Sequence, residues 1–470
     1  MKISRTFIGA LLAFVSSGCG GGDNSQGNSS SGNDGVQQCS ILDRQNWSRN
    51  VIDEWYLFPN LIDNSVNPAN FSSAQEYLDA LVAPARAEDK DRGFTYITSA
   101  SEEDELINSG STAGFGIRLV VDSDNSRVFV SEAFENGPAF LAGMDRGSEL
   151  LAIGSTSANL QTIASLFASG GAAAVFDALG PSEPGVTRVI QFRTAEGITL
   201  EQNITKEEYA LDPVSNRYGV KIFNDGNKQV GYLNLRTFIV GGADADLRDA
   251  FDQFSAQGIS ELIIDFRYNG GGLIRIADLM GDLMGAGRVG EVWSKTILRE
   301  SKSSENSTTT IRAVSEAITP TKIAFIGRGG TASASELVIN SMIPYLGGNI
   351  ALIGTNTFGK PVGQFGFDRS ECDDRLRAVT FKTVNADDQG EYFSGLGSIV
   401  PNTCSAADDI FTQLGDPTEA SIAKALDFLA GQSCSPISQD KDKIQQREKT
   451  YELFMPRQPT AAQYQIPGLF

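Results

Sequence analysis

From about residue 208 the chain alternates between short apolar runs and segments with helical periodicity. Large apolar and β-branched residues concentrate in four runs, at 229–235, 259–266, 322–326 and 350–353. Apolar side chains recur at helical spacing between these runs, in 243–254, 273–284 and 333–345. Strands that alternate with helices are typical of a largely parallel sheet covered by helices, so the sequence predicts an α/β fold. A last helix is expected to open at Asp416, with Pro417 at its first position.

Two other patterns precede this region. Helical spacing of large apolar groups in 41–58, and again in 73–81, predicts a small N-terminal helical unit that ends near residue 105. From 106 to 207 short strands alternate with turns, and 156–183 predicts a helix rich in Ala, Ser and Gly. With 470 residues the chain has room for about three domains.

Charge and composition exclude several classes of function. The formal net charge is −20, whereas nucleic-acid binding requires a basic surface, so no nucleic-acid partner is expected. The chain contains no histidine, which removes most zinc and non-haem iron sites. No metal and no cofactor is expected, although a metal bound by carboxylates alone stays open.

The N-terminus has the pattern of an export signal. Residues 1–18 combine a short basic start, an apolar run and small residues, and Cys19 follows directly. This resembles a bacterial lipoprotein signal in which Cys19 is lipidated and anchors the protein to a membrane; the alternative is a plain secretory signal. Residues 20–38 are Gly, Ser, Asn, Asp and Gln with almost no apolar content, which predicts a flexible linker over 19–38.

Four further cysteines are compatible with disulfides in an exported chain. We expect Cys372 to pair with Cys404 and Cys39 to pair with Cys434. The alternative is four free thiols.

A candidate nucleophile stands in the segment 329–336, which reads Gly-Gly-Thr-Ala-Ser-Ala-Ser-Glu. One interpretation is structural, because Ser333 and Glu336 match the capping box that begins many helices. The run of small residues before Ser333 is better explained by access of a substrate to its hydroxyl. A helix N-terminus also offers unpaired N–H groups that suit an oxyanion.

Because the chain lacks histidine, another side chain must accept the proton of Ser333, and Lys360 is the candidate. A lysine base must be neutral, so burial has to lower its normal pKa of about 10.4. The absence of Asp and Glu between Glu336 and Lys360 permits this. The alternative is a surface lysine in a loop. Glycines 270–272, after an apolar strand, could supply a second oxyanion donor or simply form a tight turn.

These motifs in combination resemble the C-terminal processing peptidases, the tail-specific serine proteases of peptidase family S41, over about residues 110–430. The resemblance implies a ClpP/crotonase-like catalytic core at 208–435 and a Ser333/Lys360 dyad, with Gln364 orienting the amine. It also implies an oxyanion hole formed by the N–H of Ala334 and of Gly271 or Gly272.

Residues 106–207 resemble a PDZ domain, in which Gly114, Phe115, Gly116 and Ile117 would offer N–H groups to the C-terminal carboxylate of a peptide. The alternative is a small β-domain with no ligand. The tail, 436–470, is expected to be disordered or strapped onto the surface. Since its end is apolar, docking of Phe470 into the chain's own groove is a hypothesis.

The sequence therefore predicts a multi-domain α/β serine endopeptidase, exported as an outer-membrane or periplasmic lipoprotein of a bacterium. Its expected partners are proteins or peptides with apolar C-termini. One alternative is a catalytically weak or inactive relative that binds peptides or lipids. Another is an extracellular scaffold in which the PDZ-like domain is the functional part.

Overall fold

The computed structural model of the chain describes residues 39–122, 126–226, 228–438 and 451–470. The expected signal segment, Cys19 and the linker at 19–38 lie outside these ranges. None of the helices in the described ranges combines the length and the apolar character that crossing a bilayer requires.

The N-terminal region is mostly helical. Ser40 and Ser73 begin two of its helices by accepting hydrogen bonds from the backbone N–H groups three residues later. Its elements are α1 (Ile41–Trp55), α2 (Ala74–Leu81), α3 (Ala83–Ala87), β1 (Tyr96–Ser99) and α4 (Ala100–Ser109).

A β-domain follows, built around an antiparallel sheet. Its elements are β2 (Ser111–Gly114), β3 (Ile117–Asp122), β4 (Arg127–Ala133), α5 (Pro138–Leu141), β5 (Glu149–Gly154), β6 (Gln161–Thr162), α6 (Ile163–Leu179), β7 (Thr187–Arg193), β8 (Thr199–Thr205) and β9 (Glu207–Ala210). The sheet order is β3-β4-β5-β7-β8, with β6 added to β5, while β2 and β9 form a separate ribbon. The helix α6 buries Leu166, Val175 and Leu179 against this sheet.

The third region forms the α/β core. Its elements are β10 (Val220–Asp225), β11 (Lys228–Asn234), α7 (Ala243–Ala256), β12 (Glu261–Asp265), α8 (Ile274–Leu283), β13 (Val292–Leu298), β14 (Ser307–Thr310), β15 (Lys322–Gly327), α9 (Ala334–Leu346), β16 (Ile350–Gly354), β17 (Val362–Arg369), β18 (Asp374–Val384), β19 (Asn402–Ser405) and α10 (Ala420–Leu429). The main sheet has the order β10-β11-β12-β15-β16-β19 and is parallel from β11 to β19.

Helices cover both faces of this parallel sheet. Side chains of alternate residues along β12, such as Leu262 and Ile264, pack with α7, α8 and α9, while Ile263 packs with α10 on the opposite face. Such period-2 alternation with both faces buried explains why these strands are nearly continuous apolar runs. The predicted α/β architecture is confirmed.

The predicted N-terminal helical unit packs against the α/β region through a shared sheet and a shared buried cluster. The strand β1 pairs with β18 in a second, antiparallel sheet of order β1-β18-β13-β14, to which β17 adds through β18. Leu78 and Leu81 of α2 share a buried cluster with Leu376 and Val379 of β18. The N-terminal helices therefore pack on this second sheet.

The expected cysteine pairing is wrong. Cys39 is bonded to Cys372, with a Cα–Cα distance of 5.5 Å, and Cys404 is bonded to Cys434, at 5.4 Å. Cys372 lies in the turn between β17 and β18, against which the start of α1 packs. Cys434 follows α10, where the chain runs alongside β19. Ser405 of β19 donates its N–H to the carbonyl oxygen of Ser435, which follows Cys434, at 2.8 Å.

The last predicted helix starts later than expected, at Ala420. Glu419, not Asp416, is its N-cap, since its carboxylate accepts from the N–H groups of Ser421 and Ile422. Asp416 instead accepts from Thr418 within the preceding turn.

The described part of the tail is packed onto the molecule. It contains β20 (Glu452–Leu453), which adds to the free edge of β3, and a short helix, α11 (Ala461–Gln465). Of the two expectations for the tail, residues 451–470 fit a strap on the surface.

Candidate active site

Ser333 stands where β15 gives way to α9. It occupies the N-cap of the helix with φ +56°, a conformation that L residues adopt rarely and that marks functional turns. Thr331 holds the turn, because its hydroxyl donates to the carbonyl oxygen of Phe266 at 2.8 Å and accepts from Arg328 N. Ser333 is partly exposed, toward a cavity of about 610 Å³.

Three parts of the chain line this cavity. The core contributes Ser333, Lys360 and Gln364, together with Gly270 and Gly272. The N-terminal region contributes the segment 92–96, and the tail contributes residues between 451 and 467. Ser333, Lys360 and Gln364, the three side chains predicted from the sequence to take part in catalysis, therefore line one cavity.

Lys360 is partly buried beside an aromatic ring. Its Nζ donates to Gln364 Oε1 at 2.6 Å and lies 4.9 Å from the centroid of the Phe94 ring. Gln364 is fixed in turn, since its Nε2 donates to the carbonyl oxygen of Phe94. Burial lowers the pKa of Lys360 from 10.5 to about 8, against an opposing effect of Asp91.

The amine and the hydroxyl share the cavity without touching. Among the described residues no carboxylate lies within ion-pair distance of Lys360 Nζ, and no hydrogen bond joins it to Ser333 Oγ. Catalytic hydrogen bonds are often long in free enzymes and close when substrate binds.

Glu336 connects the serine turn to the lysine loop. Its carboxylate is fully buried and accepts four hydrogen bonds. Thr357 Oγ1 and Gly359 N donate to Oε1 at 2.6 and 2.7 Å, and Lys360 N and Ser333 N donate to Oε2 at 2.7 and 3.1 Å. Burial raises the pKa of Glu336, while the four donors oppose that rise. One carboxylate thus positions the backbones of both candidate catalytic residues.

The glycine turn packs directly against Ser333. A Cβ atom on Gly271 would lie 2.8 Å from Ser333 Cβ and 2.9 Å from Ala334 N, and Gly271 has φ +103°. The Gly271 N–H already donates to Asn269 Oδ1 at 2.9 Å. Among the described residues Gly272 N has no acceptor, and Ala334 N, in the first turn of α9, has none within its helix. Ala334 and Gly272 are therefore the pair with N–H groups free to bind an oxyanion.

No pattern in the sequence indicated that residues 91–94 belong to this site. Arg92 Nη2 donates to the carbonyl oxygens of Phe358 and Gly359, each at 2.6 Å, and so holds the lysine loop. The buried Asp91 accepts from Tyr56 Oη at 2.7 Å and raises the pKa of Lys360. The only available signal was a charged Asp-Lys-Asp-Arg run, which is typical of a solvated turn.

The segment 114–117 binds Phe470 of the same chain. The N–H groups of Phe115, Gly116 and Ile117 donate to the Phe470 oxygen at 3.1, 2.9 and 3.2 Å. A Cβ atom on Gly114 would lie 2.8 Å from the Phe470 carbonyl carbon, so this approach requires glycine. The hypothesis that Phe470 docks into its own groove agrees with these contacts.

Comparisons with known proteins find similarity to peptidases. The family described as peptidase family S41 matches residues 229–397. The C-terminal processing peptidase of Tetradesmus obliquus chloroplasts is 27% identical over 273 residues, which cover 56% of this chain and 54% of that protein. The carboxyl-terminal-processing protease of a Picosynechococcus strain is 25% identical over 345 residues, which cover 71% of this chain and 75% of that protein.

One solved structure supports the fold. A protein of Bacteroides fragilis NCTC 9343 assigned to the S41 proteases superimposes with a TM-score of 0.64 at 21% identity, over 82% of this chain and 97% of that one. The chain spans about half the length of the first of the curated relatives above and three quarters of the second. Residues 229–397 therefore match peptidase family S41, and the chain is similar to carboxyl-terminal processing proteases.

Proposed function

We propose that this chain is a serine endopeptidase in which neutral Lys360 activates Ser333, and that it cleaves exported proteins near their C-termini. The observation that carries the proposal is the partly buried Lys360 amine, with a pKa lowered to about 8, on the wall of the cavity that Ser333 faces. With that pKa about a tenth of the molecules hold a neutral amine at pH 7, against about 0.03% at the ordinary value.

The proposed reaction follows from the groups around the cavity. Neutral Lys360 Nζ accepts the proton of Ser333 Oγ as the oxygen attacks the peptide carbonyl carbon. The N–H groups of Ala334 and Gly272 bind the oxyanion. The C–N bond then breaks, and the lysine ammonium gives its proton to the leaving amine. Water attacks the acyl-enzyme, Lys360 accepts one proton of that water, and this proton passes to Ser333 Oγ as the new carboxylic acid leaves and ionises in solvent.

The substrate class is proposed from the groove at 114–117. Its three convergent N–H groups suit a carboxylate, which supports a PDZ-like role for residues 106–207 ahead of a catalytic domain at 208–435. Two of the relatives are named for carboxyl-terminal processing. Export, with Cys19 as a lipid anchor at the outer membrane or in the periplasm, is proposed from the N-terminal sequence pattern.

A second candidate is a peptide-binding relative that does not hydrolyse its ligand. One observation favours it, namely that Ser333 Oγ and Lys360 Nζ are not hydrogen-bonded.

Hydrolysis of an unfolded reporter protein with an apolar C-terminus separates the two candidates. We expect the wild-type chain to release a C-terminal fragment, detected by mass spectrometry, and Ser333→Ala to release none while it still binds the reporter. The control is Ser303→Ala, in an exposed turn, with wild-type activity. Cleavage that persists in Ser333→Ala would contradict the nucleophile, and binding without cleavage by the wild type would favour the second candidate.

A further inference from the structure

Residues 451–470 occupy the free edge of β3 twice. Glu452 and Leu453 pair antiparallel with Val121 and Val120. The chain then leaves the edge and returns, so that Leu119 N donates to the Gly468 carbonyl oxygen at 2.8 Å. Phe470 N donates to the Ile117 carbonyl oxygen, also at 2.8 Å. Since another peptide would need these same backbone groups to add as a strand, the edge is closed to any ligand while the tail is docked.

The groove is shaped for an aromatic last residue. The Phe470 side chain is 5% exposed and its ring stacks on that of Phe176, with centroids 5.7 Å apart and planes 8° from parallel. Phe454, from the first pass of the tail, lies 6.1 Å from Phe470 and closes the pocket. Among the described residues no ion pair or side-chain hydrogen bond reaches Phe470, so backbone N–H groups would meet the charge of a carboxylate here.

The excursion between the two passes forms a wall of the catalytic cavity. Tyr464 stacks on Tyr96 with centroids 3.8 Å apart, and Gln465 Nε2 donates to Tyr96 Oη at 3.1 Å. Pro467 lies against the glycine turn at 270–272, since a Cβ atom on Gly270 would be 2.9 Å from Pro467 Cδ. One segment therefore fills the groove and lines the cavity that holds Ser333.

We propose that residues 451–470 are a resident competitor of substrate, and that the ligands able to displace them are protein C-termini with a free carboxylate and an aromatic last residue. This inference rests on the groove at 114–117 that the proposed function assigns to substrate, and only its catalytic consequence requires that the chain hydrolyses peptides. A tethered ligand acts at an effective concentration on the order of 1 mM, so the docked tail weakens the apparent affinity of any competitor.

Gly468 offers a way to loosen the tail without altering the groove. It has φ +81°, and a Cβ atom there would lie 3.0 Å from the Leu119 carbonyl oxygen. Alanine is therefore strained at this position only while the tail is docked. Gly431 is a matched control, because it also has a positive φ, +79°, but has nothing within 4 Å and lies outside the tail.

The test is binding of a fluorescent Ile-Pro-Gly-Leu-Phe peptide to the full chain carrying Ser333→Ala, so that hydrolysis plays no part. We expect Gly468→Ala and Phe470→Ala to tighten binding at least ten-fold, and Gly431→Ala to leave it unchanged. Peptides that are amidated or that end in alanine should bind at least ten-fold more weakly. Unchanged or weaker binding by both tail variants would overturn the competition, and equal binding of the alanine-ended peptide would overturn the aromatic preference.

A second measurement does not depend on how the tail variants fold. In the chain with only Ser333→Ala, saturating peptide should speed amide hydrogen exchange of residues 468–470 by at least ten-fold, because the tail leaves the β3 edge. Binding without any change in that exchange would overturn the proposal. Because neither readout needs turnover, a chain that binds in this way and never cleaves would contradict the proposed function alone.

Discussion

Replacing Glu336 with glutamine tests whether one carboxylate holds the two candidate catalytic residues in place. The change keeps the size of the side chain and turns one acceptor oxygen into an NH₂ donor. If the amide group replaces Oε2, the N–H groups of Lys360 and Ser333 both lose their acceptor. If it replaces Oε1, the Thr357 hydroxyl can turn and accept, and only Gly359 N is left unpaired.

The second orientation leaves fewer groups unpaired and costs less free energy, so it sets the expected loss of stability. One buried, unpaired N–H costs about 1–3 kcal/mol, so the free energy of unfolding in urea should fall by at least that amount. The plateau value of kcat should fall on the order of 10–100-fold, since small displacements of reacting groups cost that much. The charge of Glu336 raises the pKa of Lys360, so its removal should move the midpoint of the pH–rate profile below about 8.

The pH shift separates positioning from a purely structural role, since lost stability alone would leave the midpoint in place. Glu305→Gln, on an exposed turn, is the matched control and should change neither quantity. Urea denaturation of Glu336→Gln at the wild-type midpoint, or a pH–rate midpoint that stays or rises, would refute the reasoning.

Two further predictions concern the same cavity. Between pH 6 and pH 9 the wild-type kcat/KM should rise about 90-fold, because only the neutral amine accepts a proton. The rise should be ten-fold per pH unit below the Lys360 pKa of about 8, and kcat/KM should be level above it. Initial rates on a peptide substrate measure this, and a flat profile into acid would contradict it. Gly271→Ala should lower kcat by at least about 100-fold, because its Cβ would lie within 3 Å of Ser333 Cβ and Ala334 N. The control is Gly348→Ala, whose Cβ would have no atom within 4 Å. A wild-type kcat in Gly271→Ala would contradict the account.

The parts of the site that could be predicted are those encoded in short segments. Strand and helix periods placed the α/β core, and the small residues before Ser333 singled out the serine. The absence of histidine directed attention to Lys360, and the structure puts both residues and Gln364 on one cavity. In each case the information lies within a few residues of the group concerned.

The parts that could not be predicted depend on contacts between distant segments. Pairing of Cys39 with Cys372 follows from β1 joining β18, a strand pairing that no local pattern indicates. The effect of Asp91 on the pKa of Lys360 depends on that same pairing. The segment between Glu336 and Lys360 has no carboxylate, but the fold brings the carboxylate of Asp91 near the lysine. Glu336 was recognised as a helix cap, but its bonds to the loop at 357–360 require the tertiary fold.

The most direct test of the central claim is covalent labelling of Ser333 by a fluorophosphonate probe at pH 8, followed by peptide mapping, in the wild-type chain and in Lys360→Met. The account predicts a single adduct on Ser333 in the wild type. It also predicts a labelling rate at least 100-fold lower in Lys360→Met, because the proton of the hydroxyl then has no acceptor. Labelling of Ser333 at an equal rate in both proteins, or no adduct on Ser333 in the wild type, would contradict it.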